Sequence, residues 1–355
     1  MSNDNAQRQA AMAALHTVND PELHRDIITL NMVRDLEIDD AGVARFRLVL
    51  TTPACPLKHV FEAECRKALV GPVEGITDVA ITWDSEMPTD SRLHGRLDTK
   101  MRSIIAVSSG KGGVGKSTVS VNLAVALAQN GARVGLMDAD ILGPNLPMMV
   151  GLGFGRPRVT PDGKLIPYEA YGLQVMSMGF LVEPGKPLVW RGPMLHGAIR
   201  QFFNDVMWDQ VDYMIVDLPP GTGDAQLSLA QSVPLTGVVI VTQPQAVATD
   251  DALKGLAMFE ELNVPILGVV ENMTGEFFGE GGGEKLAQQR NVPFLGRIPM
   301  DAQVRLGGDN GKPVVMEKPD SPAAVAFQEV AKTVAGQVSI AILEQRDVIP
   351  LNIVS

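Results

Sequence analysis

The sequence predicts an α/β protein: a mostly parallel sheet with helices on both faces, preceded by a small α+β domain. Three observations carry that prediction. Beyond residue 102, short continuous apolar runs alternate with helix-like segments, as in parallel strands buried on both faces. The first 86 residues instead hold an alternating apolar–polar pair of strands and two helical segments. The length, 355 residues with 45 % hydrophobic content, allows two domains and a sizeable core.

Ala6 to His16 reads as a helix, and Asn19-Asp20-Pro21-Glu22-Leu23 as a turn. Val33 to Ile38 and Val43 to Leu50 form a hairpin around Asp39-Asp40-Ala41-Gly42. His59 to Val70 is a second helix and Thr77 to Trp83 a third strand. Cys55 lies in the loop Thr51 to Lys58 that opens the second helix, where N–H groups can lower a thiol pKa. The alternative is a small buried residue. Cys65, inside the helix, reads as core. Glu86 to Met101 is polar, with Pro88 and Gly95, and reads as a linker. The expected division is a domain at 1–86, a linker at 87–101, a second domain at 102–345 and a tail at 346–355.

In the second domain, Ser103 to Ser108 is a short buried strand and Val119 to Gln129 a helix, closed by Gly131. Ala132 to Met137 is a strand that runs into Asp138-Ala139-Asp140. Val211 to Val216 is another, ending in Asp217. Gly237 to Thr242 and Ile266 to Val270 follow. In such a sheet, functional residues belong at the carboxyl ends of the strands, and the acidic and glycine-rich motifs fall there. The last helix, about Ser321 to Glu344, has Lys332 as its one basic residue and lacks a membrane-binding basic face.

Composition narrows the partners. A net charge of −11 and a pI near 5.0 argue against nucleic acid. No window holds about 18 uninterrupted apolar residues, so no membrane span is expected. The start lacks a basic-then-apolar signal segment, and the expected location is cytoplasmic. Two cysteines do not suggest a disulfide framework, and the five histidines form no zinc pattern.

The chemistry centres on Gly110-Lys111-Gly112-Gly113-Val114-Gly115-Lys116-Ser117-Thr118, which fits the phosphate-loop pattern G-x-x-x-x-G-K-[ST] between a strand and a helix. Its glycines let backbone N–H groups close around phosphate oxygens, and the helix N-terminus adds its dipole. ATP and Mg²⁺ are the implied ligands. Lys116 neutralises β/γ-phosphate charge and the Ser117 hydroxyl binds the metal. Asp217, at a strand end, holds Mg²⁺ through water, and Asp138 is grouped with Ser117 and Asp217 at the metal. After Asp217, Leu218 to Asp224 includes Gly221, whose turn can present an amide to a γ-phosphate and move with it. Asp138 and Asp140 converge on the same edge, where one of them can orient the attacking water; the alternative is two solvated turn carboxylates. Lys111 is one lysine more than a single site needs. It is either solvated or reaches a nucleotide across a dimer face.

The loop resembles the deviant Walker-A loop of the MinD/ParA/nitrogenase-iron-protein class of P-loop ATPases. Longer blocks narrow the resemblance to the Mrp/ApbC branch, the iron–sulfur cluster carriers. They are Asp138-Ala139-Asp140-Ile141 with Gly143-Pro144, Trp190-Arg191-Gly192-Pro193-Met194, Asp217 to Asp224, Glu271-Asn272-Met273, and Phe278 to Gly283. The likeness covers about 102 to 340. The first 86 residues are similar to SufT- and PaaD-like assembly domains, on the shorter matches Asp20-Pro21-Glu22 and Thr52 to Pro56. The resemblance implies a homodimer with two ATP at its interface, serving iron–sulfur assembly proteins or apo-protein acceptors. Lys111 then acts in trans, Asp140 positions water, Asn272 reads adenine and Pro299 lies near the base.

One departure stands out. Cluster-carrying members of that family usually have C-x-x-C shortly after the Glu-Asn-Met stretch, and two such pairs supply four thiolates. Here Met273-Thr274-Gly275-Glu276-Phe277 runs directly into Phe278-Gly279, and Cys55 is left as a possible cluster ligand. The first expectation is therefore an ATPase that carries clusters or assists their assembly. The alternatives are a cluster-free, nucleotide-switched dimer that recruits a partner protein and, with less support, a dethiobiotin-synthase-like ligase.

Overall fold

A computed structural model describes residues 2–346 apart from 22, 24, 56, 94–100, 141–142, 154 and 182–191. Trp190 and Arg191, Ile141, Glu22, Pro56 and the tail at 347–355 lie outside the described residues. The chain divides into two compact units, Met1–Pro88 and Thr89–Ser355.

The first unit runs α1 (Ser2–Leu15), β1 (Val33–Ile38), β2 (Val43–Leu50), α2 (Lys58–Leu69) and β3 (Asp78–Ser85). β1 and β2 are antiparallel. The turn between them is fixed by Asp39, whose Oδ1 accepts from the N–H groups of Ala41 (3.1 Å) and Val43 (2.9 Å). β3 lies parallel to β2, because α2 carries the chain back across the sheet between them. Burial alternates along β2, so Ala44, Phe46, Leu48 and Leu50 face the core while Arg45 and Arg47 face out. Phe61, Cys65 and Leu69 of α2 close that core.

The second unit runs β4 (Met101–Ser108), α3 (Lys116–Gln129), β5 (Val134–Asp138), α4 (Leu146–Met149), β6 (Tyr168–Ala170), β7 (Leu173–Ser177), α5 (Gly192–Asn204), β8 (Val211–Asp217), α6 (Asp224–Ser232), β9 (Gly237–Thr242), α7 (Ala246–Glu261), β10 (Ile266–Thr274), α8 (Gly282–Arg290), β11 (Phe294–Pro299), α9 (Ala302–Asp309), α10 (Val314–Glu317) and α11 (Pro322–Arg346). Among the described residues the strands form one sheet in the order β11-β10-β9-β4-β8-β5-β7-β6. Every pairing is parallel except β6 with β7 at the edge. β8 and β9 are buried along their whole length, as the continuous apolar runs require. Helices cover the sheet: α3 packs on β4, β5 and β8, α11 on α3, β10 and β11, and α7 and α8 on β9 and β10.

Among the boundaries that differ from the sequence reading, three have a plain physical reason. α3 starts at Lys116 rather than Val119, because Gly115 at φ +83° turns the chain straight into a helix whose first turn is polar. β10 continues to Thr274, so Asn272 lies inside a strand and not after its end. Residues 89–93, read as linker, belong to the second unit. There Asp90 is fully buried and accepts from the Arg92 guanidinium (2.7 Å) and the Thr236 hydroxyl (2.9 Å). A polar stretch buried through paired side chains leaves no hydrophobic pattern to read.

Candidate nucleotide site

The phosphate loop joins β4, which sits between β8 and β9, to α3. Two glycines are dictated by close approach. A Cβ on Gly110 would overlap the backbone of Asp251 and Ala252 in α7, and one on Gly115 would overlap the Asn272 amide. The loop is thus packed against two neighbouring elements.

Asp217 ends β8 beside the first turn of α3. Its Oδ2 accepts from the Lys116 ammonium at 2.7 Å and from the Ser117 hydroxyl at 2.6 Å. Its Oδ1 accepts from the Ser120 hydroxyl, also at 2.6 Å. Lys116 is 6 % exposed and Asp217 1 %, so this ion pair is shielded from water. Sequence reasoning picked out Lys116, Ser117 and Asp217, which meet here in space. It missed Ser120, which lies one helical turn beyond Ser117 and faces the same way.

Asp138 pairs in register with Asp217 across β5 and β8. It is fully buried, not solvated. Its Oδ1 accepts from the Asp140 N–H (3.0 Å), and its Oδ2 from the Ser177 hydroxyl (2.9 Å) and the Leu146 N–H (3.4 Å). Burial first, and then the neighbouring Asp217 carboxylate, push its pKa up to about 8. Asp140 follows it, 8 % exposed, and accepts from the Gly143 N–H at 3.3 Å. Solvated turn carboxylates, the bland reading, do not describe either residue.

Gly221, at φ +94°, donates its N–H to the Ser109 carbonyl at 3.0 Å. Presenting that amide to a phosphate requires the turn to release Ser109. Gln226 ties the same segment to β4, since it accepts from the Ser108 hydroxyl and donates to the Pro219 carbonyl.

Asn272 is buried and donates its Nδ2–H to the Val114 carbonyl at 2.8 Å, which binds β10 to the phosphate loop. It also lines a cavity of about 450 Å³ together with Thr118, Asn145, Met148, Pro299 and Met300. Asn272, Pro299 and Thr118, chosen separately from the sequence, therefore share one cavity beside the loop. The Lys111 side chain makes no hydrogen bond or ion pair with a described residue, although its carbonyl accepts from Ser109.

The metal fits these residues. Asp217 and Ser117 offer hard oxygens 2.6 Å apart, and a cationic ammonium already rests on the carboxylate. A cluster finds less. Among the described residues no three His, Cys, Asp or Glu side chains are grouped to hold a metal. Cys65 is buried in the first unit's core, where desolvation pushes its thiol up to about 12. Cys55 is half-buried and packs against that core. Where the related loop would hold C-x-x-C, Gly275 and Gly279 exchange two backbone hydrogen bonds and leave Phe277 86 % exposed.

Comparison with known proteins agrees with this geometry. A family model described as NUBPL iron-transfer P-loop NTPase matches residues 100–335. The chain belongs to this P-loop NTPase family. A second model, iron–sulfur cluster assembly protein, matches residues 8–83. An iron–sulfur cluster carrier protein of Synechocystis sp. is 49 % identical over 94 % of this chain and 98 % of its own. One of Deinococcus radiodurans is also 49 % identical, over 95 % and 97 %. A nucleotide-binding protein of Archaeoglobus fulgidus, solved with ADP, is 39 % identical over 63 % of this chain and 92 % of its own, with a TM-score of 0.55. The P-loop NTPase match and the nucleotide-bound neighbour make this a nucleotide-binding chain, with no helix of the described residues long and apolar enough to cross a membrane.

Proposed function

We propose that this protein is a Mg²⁺-dependent ATPase that carries iron–sulfur clusters, or assists their assembly, and delivers them to apo-protein acceptors. The observation that carries the nucleotide half is the convergence of Lys116, Ser117 and Asp217 next to the cavity lined by Thr118, Asn272 and Pro299. The cluster half is supported by the carrier relatives and by the two family matches, one for each unit.

In this reading the loop amides and Lys116 bind the β/γ-phosphates, and Ser117 and Asp217 hold Mg²⁺. The metal supplies charge neutralisation at the phosphates. Asp140, as the reading has it, positions the attacking water, while Asp138 fixes the Asp140 backbone through its 3.0 Å hydrogen bond. The Gly221 amide exchanges Ser109 for the γ-phosphate, which makes this turn the nucleotide-sensing segment. Lys111 acts on the partner subunit's nucleotide in a homodimer, consistent with its lack of a described partner. Asn272 both holds the loop and borders the base.

The cluster is cargo. With no C-x-x-C after Met273, the sulfur donors of this chain are Cys55 and Cys65, and the less buried Cys55 is the one this reading takes as a ligand. The same feature favours a second reading, in which a cluster-free dimer is switched by nucleotide to recruit cluster-bearing partners. Iron and sulfide analysis after anaerobic reconstitution separates the two. Iron and sulfide stoichiometric with protein, lost in Cys55→Ala, supports the carrier. Protein that hydrolyses ATP and holds no iron in any nucleotide state supports the switch. ATP turnover absent from wild type, or retained in Lys116→Ala, overturns both.

A further inference from the structure

We propose that Ser120 is a positioning residue for Asp217, holding this carboxylate in its metal-facing orientation when Lys116 and Ser117 are engaged elsewhere. The inference rests on the Mg²⁺-nucleotide reading above and adds a residue to it.

Among the described residues three side chains hold Asp217: Lys116, Ser117 and Ser120. The first two have other work in the phosphate-loop pattern, since the lysine reaches phosphate oxygens and the hydroxyl reaches the metal. Each can leave Asp217 only because the ligand compensates it. Ser120 differs in place. It sits one turn deeper in α3, fully buried, on Oδ1 rather than Oδ2. One oxygen of Asp217 is thus shared by the two groups of the loop, and the other is held by Ser120.

A helical serine often bonds only to the carbonyl four residues back, and Ser120 lies 3.1 Å from the Lys116 carbonyl. Its contact with Asp217 Oδ1 is shorter, at 2.6 Å, the length of a hydroxyl donating to an ionised carboxylate. A hydroxyl has one proton, and this geometry directs it to Asp217. Asp217 is 1 % exposed, so water does not replace that donor when it is removed. The carboxylate is then no longer fixed about its last bond, and its water-mediated hold on the metal loosens. Outer partners that orient a metal ligand typically contribute tenfold or more to metal affinity.

Nucleotide binding, read with a fluorescent ADP analogue in EDTA and across a Mg²⁺ titration, tests this without relying on turnover. Ser120→Ala is expected to bind the analogue in EDTA as wild type does, while its half-saturating Mg²⁺ rises about tenfold. Ser103→Ala is the control for loss of a buried serine hydroxyl, because Ser103 bonds the Asp212 carbonyl away from the loop. It should keep the wild-type Mg²⁺ curve. In an Asp217→Asn background the Ser120→Ala change should add nothing, since its effect passes through Asp217. Superimposable Mg²⁺ curves for wild type and Ser120→Ala overturn the proposal, as does a full additional effect in the Asp217→Asn background. Wild type whose nucleotide binding ignores Mg²⁺ overturns the metal reading itself, and this inference with it.

Discussion

Asp138 and Asp217 are two carboxylates side by side on adjacent strands, but their surroundings differ. Asp217 has the Lys116 ammonium against it, whereas Asp138 has only neutral donors. Burial, and then the neighbouring Asp217 carboxylate, push the Asp138 carboxyl up to about 8 in the fold, against an ordinary value of 3.8. Between those values the native state binds a proton that the unfolded chain has lost. Stability from this group is then greatest below pH 3.8 and falls as pH rises towards 8. The slope it sets is on the order of 1 kcal/mol per pH unit. Urea unfolding in EDTA at pH 6 and pH 8 should show a steeper loss for wild type than for Asp138→Asn. Parallel losses would mean that Asp138 is ionised in the fold. The two cysteines differ for a similar reason. The thiol raised by burial, Cys65, should resist a thiol reagent in native protein, while half-buried Cys55 is modified. Labelling followed by peptide mass analysis checks this, and early modification of Cys65 would contradict it.

At the scale of elements, the phosphate loop is held in shape by β10 as much as by its own glycines. The Asn272 amide caps the Val114 carbonyl, and Gly115 is glycine because Asn272 sits where a side chain would go. Asn272→Ala leaves a buried carbonyl without its donor. It should cost about 1–3 kcal/mol of stability and weaken nucleotide binding together. Denaturant unfolding and analogue binding measure the two; loss of binding at unchanged stability would assign Asn272 to the base alone. Gly115→Ala should be worse, because a left-handed residue adds about 1–2 kcal/mol of backbone strain to the overlap. Much of this level was legible in the sequence. Strands at 103–108, 211–216 and 237–242 follow from continuous apolar runs, which the sheet order then places side by side. The start of α3 was not legible, since a polar first turn has no apolar period, and neither was the burial of Asp90.

The whole molecule joins a unit that matches an iron–sulfur cluster assembly family to one that matches an iron-transfer P-loop NTPase family. Lys111 is the residue on which the proposed homodimer rests. If it acts in trans, ATP should shift the protein to a dimer in sedimentation, and turnover per subunit should rise with protein concentration. Lys111→Ala should keep analogue binding and lose most of that concentration-dependent turnover. Unaltered turnover in the variant would confine Lys111 to its own subunit's surface.

The sequence by itself determined the phosphate loop, its strand–loop–helix setting, the acidic strand ends and the missing C-x-x-C, because each depends on residue type at short spacing. Only the tertiary structure decided what those residues touch. Ser120 and Ser177 look like ordinary polar residues in the chain, yet one holds Asp217 and the other Asp138. Asn272 and Val114 are far apart in sequence and bonded in space. The physical reason is the same in each case. A buried polar group must find its partner wherever the packed sheet brings one within 3 Å, and no local pattern records that distance.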